Sequence, residues 1–100
     1  MKESQLEQKL TSMVKSYGGL SYKFTSPGNI GVPDRIVIKP NGEVWFIELK
    51  TKTGRLSKMQ EYQLNRLREH GCNAVVLFGS EEVENAIDAI FKQKGGGDPG

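Results

Sequence analysis

One cysteine and one histidine are all that this chain of 100 residues offers to thiol or soft-metal chemistry. Cys72 can form no internal disulfide, which suits a reducing compartment and leads us to expect a cytoplasmic protein. Cys72 and His70 cannot assemble a zinc site of the Cys/His type in a monomer. A histidine-based catalytic triad could be built only around His70, at the polar end of an expected helix. No apolar run approaches membrane-spanning length, and no charged-then-apolar segment opens the chain, so export is not expected. Internal repeats are absent. Net charge is also low, at +2, but it is unevenly placed. Residues 1–79 carry 12 Lys/Arg against 7 Asp/Glu, and residues 80–100 carry 2 against 5. A mildly basic body with an acidic C-terminal helix is compatible with a polyanion on one face, although many unrelated domains share this balance. The length suits one domain, expected over 1–94, with the glycine-rich 95–100 as a disordered tail.

What is present is alternating periodicity. Leu6, Leu10, Met13, Val14 and Tyr17 form one helical stripe over 5–17, with Ser4 as the candidate cap and Gly18-Gly19 as the stop. Leu20, Tyr22 and Phe24 alternate with polar residues, the pattern of a half-buried strand. The Gly- and Pro-dense stretch 26–33, SPGNIGVP, is a loop. Two strands are expected at about 34–39 and 43–50, joined around Pro40-Asn41-Gly42. The basic loop TKTGR then leads into a helix from Ser57 to about His70. A short strand, NAVVLF, ends at Gly79. A last helix, capped by Ser80, carries Val83, Ala86, Ile87, Ile90 and Phe91 on one face. The order αβββαβα is that of an α/β sandwich whose third and fourth strands are linked by a right-handed helical crossover.

The hairpin raises the chemical question. A strand as apolar as VWFIEL should be buried, yet it carries Glu48 and Lys50 near its end. A two-residue Asn-Gly turn would throw Asp34 and Glu48 onto opposite faces. A three-residue loop instead puts Pro40 at i+1 of a type I turn and Gly42 in a left-handed bulge, which the fixed φ of Pro40 favours. Asp34 then lies opposite Glu48, with Cβ atoms roughly 4.5–5.5 Å apart. Carboxylates that close repel each other unless a proton or cation sits between them. Lys50 points to the same face. The arrangement reads as a divalent-metal site with an ammonium beside it.

These residues resemble a known pattern. Pro33-Asp34 followed by Glu48-Leu49-Lys50 is similar to the motif of the PD-(D/E)XK nuclease superfamily, with its restriction-endonuclease-like αβββαβ core. "GVPDRIVI" before the hairpin, "FIELKTKTGRLSKMQ" after it and a Glu in the first helix resemble the virus-type replication-repair nuclease (VRR-Nuc) family. The likeness spans about residues 3–91, with Gly31, Ser57 and Gln60 adding to the match. It implies Mg²⁺- or Mn²⁺-dependent phosphodiester hydrolysis on DNA. Small stand-alone members imply a homodimer acting on branched DNA, such as a Holliday junction or flap. A non-catalytic nucleic-acid-binding scaffold of the same fold is the alternative, but it would have little reason to keep a repulsive carboxylate pair.

Roles follow from chemistry and the resemblance together. Asp34 and Glu48 are the expected metal ligands, with the Leu49 carbonyl as a third. Lys50 is expected to orient the attacking water or stabilise charge on the phosphate, acting as a base only if its pKa is depressed. Glu7 can close a Ser-x-x-Glu capping box with Ser4, or, as the first-helix Glu, reach a second metal. Gln60 can close a box with Ser57, yet its inward position between Leu64 and Leu67 suits a contact to the site. Lys52, Arg55 and Lys58 are expected to touch the DNA backbone. Arg35 and Tyr62 suit either packing or phosphate contact. The sequence leaves open which surface pairs two copies; the apolar residues of the first strand and the loop 26–33 are the candidates.

Overall fold

The computed structural model describes residues 1–92; the expected tail, 95–100, lies outside the described residues. The observed elements are α1 (Glu3–Ser16), β1 (Leu20–Lys23), β2 (Arg35–Ile38), β3 (Val44–Lys50), α2 (Lys58–Glu69), β4 (Asn73–Phe78) and α3 (Gly79–Lys92). The strands form one sheet in the order β1-β2-β3-β4. The first two pairings are antiparallel, and β3 runs parallel to β4 because α2 carries the chain back between them.

The hairpin adopts the three-residue loop. The Lys39 N–H donates to the Glu43 carbonyl at 2.9 Å, and the Gly42 N–H donates to the Lys39 carbonyl at 2.8 Å. Gly42 has φ +89°, the left-handed turn of a bulge that a side chain would disfavour. Ile38 therefore pairs with Val44, Ile36 with Phe46 and Arg35 with Ile47. One step further, Asp34 stands opposite Glu48.

Strand alternation then divides the sheet into unlike faces. On one side Val37, Ile47, Leu49 and Leu77 meet Leu6, Leu10 and Val14 of α1 and Val83, Ile87 and Ile90 of α3 in one buried cluster. Each Leu or Ile buried there contributes roughly 1.5–3 kcal/mol. α2 lies across the other side and buries Leu64, while Gln60 in its first turn reaches Glu48. The Ser57–Gln60 capping box forms in full.

Three local expectations are corrected. The first helix starts at Glu3, not after Ser4: Lys2 is its cap, and the Gln5 side chain accepts the Lys2 N–H at 2.7 Å. Gln5 thus takes the place that the Ser4–Glu7 box would have filled. Ser80 lies inside α3, where it accepts a hydrogen bond from Lys9 Nζ, while the Glu82 carboxylate accepts the Phe78 N–H. Leu20 and Tyr22 are about half exposed, at 51% and 54%, because β1 is the edge strand farthest from β4, against which α2 packs.

Candidate active site

The site is assembled where β2 begins and β3 ends. Pro33 is fully buried and leads into Asp34, whose carbonyl accepts the Phe24 N–H at 2.7 Å. The Asp34 carboxylate turns across the hairpin, and its Oδ2 accepts the Leu49 N–H at 3.2 Å. Glu48, on the opposed strand, is only 2% exposed. Its Oε2 accepts from Gln60 Nε2 at 3.2 Å and lies 3.8 Å from Lys50 Nζ. Its Oε1 is buried and has no hydrogen-bond partner. Burial, and then the charge of Asp34, push the Glu48 carboxyl up to about 8, against an opposing pull from Lys50.

The third carboxylate comes from α1. Glu3, Asp34 and Glu48 each place an oxygen within 4.8 Å of the others. The first-helix glutamate brought to this cluster is Glu3. Glu7 faces Arg35 instead, at 3.7 Å from Nη1. Arg35 Nη2 also donates to Ser21 Oγ at 2.8 Å and to Thr11 Oγ1 at 3.4 Å, so this arginine ties β2 to α1 and β1. The signal for Glu3 lies in the helical period: it precedes Leu10 by seven residues, within about 20° on the wheel. A start placed at Ser4 leaves Glu3 outside the helix and hides that alignment.

Gln60 combines the two roles its sequence position allows. Its Oε1 accepts the Ser57 N–H at 2.9 Å, which caps α2, while its Nε2 holds Glu48. The capping geometry therefore fixes the amide that orients a buried carboxylate. Lys52, Arg55 and Lys58 are exposed around the loop that follows β3. Tyr62 is exposed too, with the Arg66 guanidinium 5.7 Å from its ring centroid.

The donor set suits a hard divalent cation. It consists of carboxylate oxygens alone, in keeping with Mg²⁺ or Mn²⁺ rather than a thiophilic metal. Glu48 Oε1 is a buried oxygen without a partner, a costly state that a cation, or a proton shared with Asp34, would relieve.

Known proteins resemble this chain in sequence and in fold. The VRR-NUC domain model matches residues 2–81. The chain belongs to the VRR-NUC family. The protein "Putative nuclease p44" of Acyrthosiphon pisum secondary endosymbiont phage 1 is 37% identical over 90 residues, spanning 90% of this chain and 96% of that relative. A solved VRR_NUC domain superposes with a TM-score of 0.79 at 31% identity, covering 86% of this chain and 94% of its own. A solved VRR_NUC domain protein at 18% identity shares the fold, with a TM-score of 0.67 over 90% of this chain and 85% of its own. Membership of the VRR-NUC family makes this chain a nuclease with the expected PD-(D/E)XK-like α/β core. None of the described helices is long and apolar enough to cross a membrane.

Proposed function

We propose that this nuclease is a Mg²⁺- or Mn²⁺-dependent endodeoxyribonuclease of the cytoplasm, selective for branched DNA and working as a homodimer. The observation that carries the metal-dependent chemistry is the unpartnered, buried Oε1 of Glu48 beside Asp34 and Glu3. Asp34, Glu48 and Glu3 would hold the ion, with the Leu49 carbonyl beside them. Glu7, engaged with Arg35, is left out of the set. When bound, the ion would polarise the scissile phosphate and make an attacking water more acidic.

The remaining work falls to the chain itself. Gln60 keeps Glu48 turned toward Asp34, and the Leu49 N–H keeps Asp34 turned toward Glu48. The Lys50 ammonium, held near Glu48, stabilises the negative charge that builds on the phosphoryl oxygens as the water attacks. Lys52, Arg55 and Lys58 hold the flanking backbone by charge and carry no base preference.

Branch selectivity and dimerisation rest on size and symmetry. One such site among the described residues cuts one strand, and paired cuts across a four-way junction require two sites related by a two-fold axis. Leu20, Tyr22 and Val44 lie on one face of β1 and β3 and leave apolar surface in water that a second copy would cover. The test is cleavage of single-strand, duplex, flap and four-way-junction DNA with Mg²⁺, Mn²⁺ or EDTA, alongside sedimentation. Metal-dependent cutting of branched DNA at twice the 11.1 kDa chain mass is expected. DNA binding without cleavage under any metal would instead mark a scaffold.

A further inference from the structure

We infer that Ile30, with Met59 beside it, is a branch-sensing wedge that rests against bases exposed where a DNA helix is interrupted. This inference builds on the nuclease reading above. Ile30 is the most exposed large apolar side chain among the described residues, at 76%, and Met59 is 43% exposed. An apolar side chain held in water adds nothing to the fold of the monomer, and a loose loop tip would let it collapse onto the surface.

This tip is held. The Asn29 N–H donates to the Ser26 carbonyl at 3.0 Å, and Asn29 Nδ2 donates to Ser26 Oγ at 2.9 Å. Gln63 Nε2 donates to the Ile30 carbonyl at 3.4 Å. Gly31, at φ +94°, lies so close to α2 that a Cβ there would sit 2.6 Å from the backbone carbon and oxygen of Met59. Any side chain at 31 would push the loop off the helix.

The same helical turn carries the site. Gly31 abuts Met59 and Gln60, and the Gln60 amide bonds Glu48. Four residues after Ile30, the loop delivers Asp34. The prong and the carboxylate cluster are thus hung on one unit, with the exposed Lys58 next to Met59 at the start of α2. Positive charge next to a small apolar projection matches a polyanion with exposed base faces. The apolar sheet face assigned to the second subunit lies elsewhere: Val44 is four residues up β3 from Glu48, roughly 13 Å away.

The selectivity has a simple origin. In continuous duplex the bases are stacked, and inserting an apolar wedge must first unstack them. At a flap or junction the continuous stack is interrupted and the end bases are more easily parted, so Ile30 gains contact at a lower cost. Preference for interrupted DNA then needs no base-specific hydrogen bond.

The experiment compares full-length protein with Ile30→Ser and with Ile30→Ser/Met59→Ser. Two readouts are taken: the ratio of cleavage rates on four-way-junction and continuous-duplex DNA with Mg²⁺, and the fluorescence of 2-aminopurine at the branch point in Ca²⁺. We expect the rate ratio to fall about tenfold and the fluorescence rise on binding to vanish, with sedimentation mass unchanged. An unchanged ratio and an unchanged fluorescence rise would overturn the wedge. Loss of both together with a halved mass would overturn it in favour of a subunit contact. If the unmodified protein cuts nothing, the nuclease reading fails, yet the fluorescence arm still decides whether Ile30 enters the branch.

Discussion

The two faces of the sheet come from the same strands, one residue out of phase, and they do opposite things. Ile47 and Leu49 are fully buried against α1 and α3, while Glu48 and Lys50, their sequence neighbours, face α2 and the carboxylate cluster. The dry face gains stability from apolar contact. The other spends stability, because it holds a buried carboxylate with an unpartnered oxygen next to a second carboxylate. A small domain tolerates the second face only because the first is packed on both helices.

The sharpest way to break this contrast is to neutralise the carboxylates. Asp34→Asn or Glu48→Gln should lower cleavage by about 10³-fold, the several kcal/mol that a correctly held metal supplies. Both variants should fold, and without metal at about pH 9, where Glu48 is ionised, they should melt at or above the unmodified protein because the repulsion is gone. Near-normal cleavage by either variant would remove these residues from the site.

The matching change on the dry face is Leu49→Ala. It should cost about 2–5 kcal/mol and lower Tm by roughly 10–20 °C. Calorimetry without metal measures it directly. If Leu49→Ala and Glu48→Gln shift Tm in the same direction, the division of labour between the faces is wrong.

Lys50→Ala probes the charged end of the site face. Turnover should fall about 10²-fold with little change in DNA affinity, because Lys50 acts on charge developing in the reaction. Lys52→Ala and Arg55→Ala should do the reverse, each weakening binding and reducing the salt slope by about one. A Lys50→Ala protein that loses mainly affinity would make Lys50 a docking residue.

How much of this was legible depended on whether local chemistry or tertiary position decided each point. The hairpin register was readable because Pro40 and Gly42 specify one turn, and one turn fixes which residues face each other. The Ser57–Gln60 box was readable for the same reason: both partners lie within four residues. The burial of β1 was not readable. Alternation in Leu20-Ser21-Tyr22 marks an amphipathic strand, but only the position of α2 over the β3–β4 side leaves that face open. The start of α1 was also hidden, because Lys2 and Gln5 cap it in place of the more usual serine. That shift of two residues decided which glutamate reached the site.

A pH series separates the faces without mutation. The Glu48 carboxyl is raised from its unfolded value near 4.5 to about 8. The folded state therefore holds this proton more tightly than the unfolded one. The stability it contributes is complete below the unfolded value and is lost as pH rises through about 8. In EDTA, Tm should fall between about pH 5 and pH 9 by roughly 5–10 °C, and Glu48→Gln or saturating Mg²⁺ should flatten the slope. A metal-free Tm that rises over this range would mean that Glu48 is not held in its protonated form.

The smallest effect, and the finest test, sets Glu3 against Glu7. Both sit in the first two turns of α1, four residues apart, yet they meet different partners. Glu3 joins Asp34 and Glu48, and its charge helps to raise the Glu48 carboxyl. Glu7 pairs with Arg35 at 3.7 Å, a long, partly buried contact that contributes about 1 kcal/mol. Glu3→Gln should weaken Mn²⁺ binding about three- to tenfold by calorimetric titration, because it removes one anionic oxygen from the cluster while the more buried pair remains. Glu7→Gln should leave Mn²⁺ affinity unchanged and lower Tm by a few degrees. The reverse pattern, with Glu7→Gln losing the metal and Glu3→Gln neutral, would return the ligand role to Glu7. It would also require α1 to slide along its axis by about one turn, roughly 6 Å, in the loaded enzyme.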